Sequence, residues 1–267
     1  VDRKNIWDLL ENQEVDVFSE YCDLWTLFHE KKITEDRIGY SATFKKVVDE
    51  NFLHFKKRGS IISYDKLLQV LKVRHPDEIF VDVKLEDLDL LIEVIVFMIF
   101  ELLSLEVRGA ETGMKFVLDS ISSILKKTNQ KIISLDDGKR IVVPDDEAVA
   151  MVADLILPDD EKLALEVLGY SHFSNKNNLV EKRKILQRLA NYLEPRFNIN
   201  KSDEIGFVLN NYYIRHGNER NKDNVEKLGD EETANLYDKL YRDILYYILE
   251  QEHNDFKGLI KELKKDL

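Results

Sequence analysis

The sequence predicts a mainly α-helical protein: helical bundles carrying one small β-hairpin. Three observations support this. Only 10 Gly and 4 Pro punctuate 267 residues that are 44% hydrophobic and 34% charged, a balance typical of helical chains. Apolar residues recur at three- and four-residue steps through most of the length, the spacing of one helix face. Alternating β-branched runs around an Asp-Gly pair occur clearly only once. Single cores stop growing at roughly 250 to 300 residues, so two domains are expected: an N-terminal helical region over 1–160, with the hairpin near 131–143, and a C-terminal helical bundle over 161–267.

Taken in order, Ile6, Leu9, Leu10, Val17, Phe18, Tyr21, Leu24, Trp25 and Phe28 form a helical stripe from Asp2 to about Lys32. Ile38, Phe44, Val47, Val48 and Phe52 extend the helical reading over Thr34 to Phe55, which Arg58-Gly59-Ser60 breaks. Ser63 caps a short helix beginning at Tyr64, His75-Pro76-Asp77 makes a turn, and a short strand is expected at 79–83. Leu85 to Leu105 is the most apolar helix. Its acids Glu93 and Glu101 are expected at an edge with solvent access, since a buried acid is costly unless paired. Glu111 to Lys127 follows with Phe116, Ile121 and Leu125 inward. Lys131–Leu135 and Lys139–Val143 flank Asp136-Asp137-Gly138 as a hairpin.

Pro144-Asp145-Asp146 and Pro158-Asp159-Asp160 each introduce a helix, their acids favouring the positive end of the helix dipole. The polar stretch 171–178 reads as a linker, with His172 exposed. Leu179 to Leu193 is an amphipathic helix that turns Ile185, Leu186, Leu189 and Leu193 inward and Lys182, Arg183, Lys184 and Arg188 largely outward. Helices over about 202–216 and 230–250 follow, then a short amphipathic tail from Asp255.

Composition narrows the function classes. A formal charge of −12 repels a polyanion at long range, so any nucleic-acid contact must be local. Cys22 is the single cysteine, which excludes an intramolecular disulfide and a cysteine-based metal site within one chain. No HExxH, HxH or HxxxH spacing, phosphate-binding glycine loop or nucleophile elbow occurs, and neither metal nor cofactor is expected. The longest uninterrupted apolar run, Val94 to Phe100, is far short of the ~20 residues of a membrane span. With no signal-peptide pattern at the start, the expectation is a cytoplasmic protein without a membrane partner.

The densest polar chemistry lies in Asn210-Asn211-Tyr212-Tyr213-Ile214-Arg215-His216-Gly217-Asn218, with Arg220 just beyond. Gly217 is expected to stop the preceding helix in left-handed backbone, leaving Arg215 and His216 at a helix C-terminus, where cations also serve the dipole. Histidine is the usual proton-transfer group near neutral pH, and arginine grips phosphate oxygens bidentately. Solvated polar positions would account for the same residues more simply.

This pattern resembles the motif of the HEPN superfamily of helical RNases and nucleotide-binding proteins: an Arg, a polar residue that is often Asn, about four residues, then His and often Gly. The helix 179–193 and the long helix after the motif also resemble HEPN-type domains of abortive-infection and phage-defence proteins, so the resemblance covers about 165–255. It implies metal-independent RNA cleavage in a cleft between two protomers. His216 and Arg215 would act in catalysis, and Asn210, Asn211, Tyr212, Asn218 and Arg220 would hold substrate. The family's arginine position is Asn210 here, and on one helix Asn210 and His216 would stand about 120° apart, so pairing of protomers is required to complete the site. The alternatives are a non-catalytic scaffold or sensor whose acidic N-terminal region binds a protein partner, and nucleotide binding without hydrolysis.

Overall fold

The structure is a computed structural model that describes residues 15–35, 40–78, 83–195 and 204–264. Eleven α-helices and two two-stranded antiparallel sheets occur among them. Close packing divides the chain into two compact units, Val1–Ile132 and Ile133–Leu267; the expected division stood at 160/161. The expected strand at 79–83, apart from Val83, and the first part of the N-terminal helix, 2–14, lie outside the described residues.

In the first unit, α1 (Val17–His29) starts at Asp16, whose carboxylate accepts the amides of Phe18 and Ser19. Strands β1 (Lys32–Glu35) and β2 (Ser41–Thr43) pair antiparallel with an irregularity between Lys32 and Thr34, where a helix was expected from Thr34. The helix α2 (Phe44–Asn51) begins only at the Thr43 cap. Tertiary contact overrides local propensity here: Thr34 is buried, and β1 lies so close to Gly113 that a Cβ there would meet the Thr34 methyl and the Ile33 carbonyl.

Ser63 caps α3 (Tyr64–Leu71) by accepting the Lys66 amide at 3.2 Å. The helix α4 (Leu85–Ser104) is buried along most of its length through Leu88, Leu91, Ile92, Ile95, Met98, Ile99 and Leu102, and α5 (Glu111–Lys127) adds Val117 and Ile121. Two expectations for these helices are corrected. Phe116 is exposed, because Met114, Val117 and Ile121 already define the inward face of α5. Glu101 is buried rather than at an open edge; its carboxylate accepts the main-chain N–H of Lys57 at 3.3 Å, which offsets part of its desolvation.

The hairpin forms as predicted from β3 (Gln130–Ser134) and β4 (Arg140–Pro144). Gly138 takes φ +72°, and its amide closes the turn onto the Leu135 carbonyl at 2.8 Å. In the second unit Asp146 and Asp160 cap α6 (Glu147–Ile156) and α7 (Glu161–Gly169). The helices α8 (Leu179–Leu193), α9 (Glu204–Asn211), α10 (Glu219–Leu228) and α11 (Asp230–Leu263) complete it. Val152, Ile156, Leu163, Val167, Ile185, Leu186, Leu189, Leu209, Tyr237, Leu240, Ile244 and Ile248 form one core. Each large apolar side chain removed from water contributes about 1.5 to 3 kcal/mol against the entropy of ordering the chain.

Three further expectations change in this unit. Lys182, expected outward, is buried, with its ammonium 2.7 and 2.9 Å from the two Asp238 oxygens and 5.7 Å from the Tyr170 ring centroid. A charge in such a place requires that partner. His172, expected exposed, is buried against Phe173 and lies 2.7 Å from Ser174 Oγ. The helix α11 runs unbroken to Leu263 through the expected gap before the tail.

Candidate functional site

The helix α9 ends at Asn211, four residues earlier than Arg215. Tyr213, not Gly217, adopts the left-handed backbone, at φ +60°, and the Arg215 amide turns back to the Leu209 carbonyl at 3.1 Å. Gly217 keeps ordinary backbone, and a Cβ there would make only a van der Waals contact, 3.4 Å from Tyr213 Cε2. His216 therefore sits on a loop, 212–218, between α9 and α10, rather than at a helix terminus.

The loop is held from beneath by side chains. Asn221 is buried, and its amide donates to the carbonyls of Asn210 (2.7 Å) and His216 (3.0 Å). Asn224 donates to the Asn211 carbonyl at 3.0 Å, and the Tyr237 hydroxyl to the Tyr212 carbonyl at 3.1 Å. Four loop or helix-end carbonyls, those of Asn210, Asn211, Tyr212 and His216, thus find side-chain donors. Burial raises the Tyr237 hydroxyl above the ordinary phenol range, keeping it a neutral donor.

The residues predicted for the site take distinct positions. The His216 imidazole is exposed and has no hydrogen-bond or ion-pair partner among the described residues. Arg220 is exposed as well. Arg215 is folded inward, with a side chain only 10% exposed, and pairs with Glu194 at 3.3 Å, while its Nε and Nη2 are buried without a hydrogen bond. Asn211 donates to the Phe207 carbonyl of its own helix at 2.8 Å. Asn218 caps α10, accepting the Asn221 amide at 2.9 Å. Asn210 and Tyr212 contribute the carbonyls already described. The structure thus brings Gly217, next to His216, against Tyr213 and turns Arg215 away.

Two further cations join this group, Arg183 from the basic run Lys182-Arg183-Lys184 that lies beside the motif in sequence and could supply local RNA contacts, and Lys222, which the sequence did not single out. The Arg183 guanidinium lies 4.1 Å from the Tyr213 ring centroid, and Lys222 lies 5.7 Å from it. A hydrogen bond from its ammonium to Glu219, at 3.1 Å, raises the Lys222 pKa. Arg183, expected on the outward face of α8, is thereby free to stack on a tyrosine of the loop.

A concave region occurs in the first unit, a cleft of about 970 Å³ whose walls include Trp25, His29, Lys45, Lys72, Arg74 and His75. His29 stacks on Trp25 with centroids 3.8 Å apart. Its Nδ1 lies 2.9 Å from the Trp25 carbonyl and so carries the proton, which leaves Nε2 to accept the Tyr64 hydroxyl at 3.1 Å. Burial pushes the His29 pKa down to about 4. Lys45 pairs with Asp49 and Asp65, and Arg74 with Asp87, so much of the cleft's charge is internally matched.

No protein-family model matches the chain, and comparison with curated proteins and with solved structures gives no significant match. Among the described residues no cluster of three or more His, Cys, Asp or Glu is placed to hold a metal ion, and no helix is long and apolar enough to cross a membrane.

Proposed function

We propose that the second unit is a HEPN-like domain that binds RNA through the 212–218 loop, and that two copies together cleave it without metal, in a phage-defence or toxin-like setting. One observation supports this above the others: an exposed imidazole on a loop fixed by four side-chain hydrogen bonds to its backbone and flanking residues. Preorganisation of this kind lowers the cost of placing a proton-transfer group against a phosphodiester. Arg183 and Lys222 around the Tyr213 ring, which borders Gly217, and the exposed Arg220 four residues after His216 supply cations and a ring face on this loop and its flanks, a combination suited to single-stranded RNA even on an acidic chain. His216 moves the proton, and the second copy supplies the cation that Asn210 does not.

A non-catalytic reading is favoured by the Arg215–Glu194 pair, which commits the arginine nearest to His216 in sequence. One experiment separates the two. Labelled single-stranded RNA is incubated with the full chain in EDTA, and binding and cleavage are followed for wild type and His216→Ala. The nuclease reading expects salt-sensitive binding and a cleavage that survives chelation and disappears in the variant. Binding without cleavage leaves an RNA-binding module, and absence of both overturns the proposal in favour of a scaffold.

A further inference from the structure

The last part of α11 presents an apolar stripe to solvent. The buried residues of this helix end at Ile248; from Leu249 to Lys264 none is buried. Yet the helix continues to Leu263, about 22 Å further at 1.5 Å per residue. An isolated segment of this length is marginal in water, and its apolar residues are not scattered. Tyr246, Leu249, His253, Phe256, Ile260 and Leu263 alternate at three- and four-residue steps over two and a half heptads, the a and d positions of a coiled-coil seam. Tyr246 is 66% exposed, Phe256 57% and Leu263 51%. Leu259, 52% exposed, widens the stripe beside them, while Leu249, half-buried at its inner end, also packs against the core.

The flanking charges identify the occupant. Glu250 and Glu252 border the first half of the stripe, and Lys257 and Lys264 the second half. A two-fold axis between Asn254 and Asp255 sets Tyr246 of one copy opposite Leu263 of the other, Leu249 opposite Ile260, and His253 opposite Phe256. Every seam residue then has a seam partner. The same register sets Glu250 against Lys257 of the other copy, twice by symmetry. A parallel pair would gain Glu252 against Lys257 but would set His253 against His253 in the seam, whereas the antiparallel register gives His253 a Phe256 partner and adds Asp243 against Lys264.

We propose that the segment 246–263 is a self-association surface at which a second copy of this chain packs antiparallel. The pairing does not depend on what the 212–218 loop binds, because the stripe contains no residue of that loop.

Sedimentation of the full chain tests it. Wild type is expected to dimerise reversibly, and Phe256→Glu with Ile260→Glu to be monomeric while keeping the melting transition of the core, from which both residues are absent. Glu250→Lys is expected to weaken the dimer several-fold, and Lys257→Glu added to it to restore the affinity. For orientation, in a Cys22→Ala background, chains carrying Leu249→Cys are expected to cross-link to chains carrying Ile260→Cys, whereas Tyr246→Cys does not cross-link to itself. A wild-type monomer across the concentration range, or a dimer indifferent to the double glutamate variant, overturns the surface. Self-cross-linking at position 246 overturns the antiparallel arrangement. RNA binding measured on the monomeric variant stays at the wild-type level for one copy if both proposals hold, so loss of the dimer and failure of the RNA reading are told apart.

Discussion

His29 and His216 occupy opposite extremes of what a histidine can be in a folded chain. His29 is pressed against Trp25, Phe28 and Tyr64, and both of its ring nitrogens are committed. His216 stands in solvent with both nitrogens unclaimed among the described residues, while only its main-chain carbonyl is held. The first region spends its polar groups on making an aromatic cluster possible. The second spends Asn221, Asn224 and Tyr237 on fixing backbone and leaves the side chain free. A free ring on a fixed backbone is the arrangement that chemistry needs, whereas a committed ring in a cluster is an element of stability.

If that contrast is right, the largest loss of stability comes from the first cluster. Phe28 is fully buried, with its ring centroid 4.9 Å from Phe44 and 5.7 Å from Tyr64. Phe28→Ala removes that contact area and leaves a cavity, and should cost the first unit about 3 to 5 kcal/mol. Urea unfolding followed by tryptophan fluorescence measures it through the buried Trp25. A loss below about 1 kcal/mol would mean that the cluster is loosely packed and the contrast overstated.

The next effect is a pH dependence. The His29 pKa is pushed down to about 4 by burial, against about 6.5 in an unfolded chain. Between these values the unfolded state binds more protons, so stability rises with pH. It is therefore full above about pH 6.5 and falls as the pH drops toward 4, by up to about 1.4 kcal/mol per unit and roughly 2 to 3 kcal/mol in total after allowance for partial solvent screening. Urea midpoints at several pH values in this window, compared with His29→Gln, check it. Equal slopes for the two proteins would show that the ring is not held neutral.

Much of the fold could be read from spacing, since most of its elements have an apolar stripe or a cap. The helix 179–193 and the helix 111–127 fall on their expected bounds, and the Asp-Gly hairpin needs only its local turn chemistry. The misses have physical causes. The short strands β1 and β2 depend on a glycine seventy and more residues away, at position 113. The helix α10, ERNKDNVEKL, offers only Val225 and Leu228 as apolar residues, so no stripe announces it; the cap residue Asn218 is its one local signal. Lys182 resembles any outward lysine until Asp238 arrives from α11. In the candidate site, the crowding of polar residues near His216 was visible, but their division of labour was not. Whether an amide supports a carbonyl or faces solvent depends on where the next helix starts.

The smallest effect, and the sharpest test of the contrast, pairs Asn221→Ala with His216→Ala. Asn221 is buried and satisfies two carbonyls at once. Removing its side chain leaves both acceptors without that donor, so a loss of about 1 to 2 kcal/mol is expected in the second unit, together with faster amide hydrogen exchange across 212–218. His216→Ala removes a ring that touches nothing it needs, and stability should stay within about 0.5 kcal/mol of wild type. If RNA is bound as proposed, the ordering reverses in a binding assay: His216→Ala weakens it directly, whereas Asn221→Ala acts through a loosened loop and is partly rescued by lowering the temperature. Should His216→Ala prove as destabilising as Asn221→Ala, the ring is structural like His29, and the loop loses its claim to be a site.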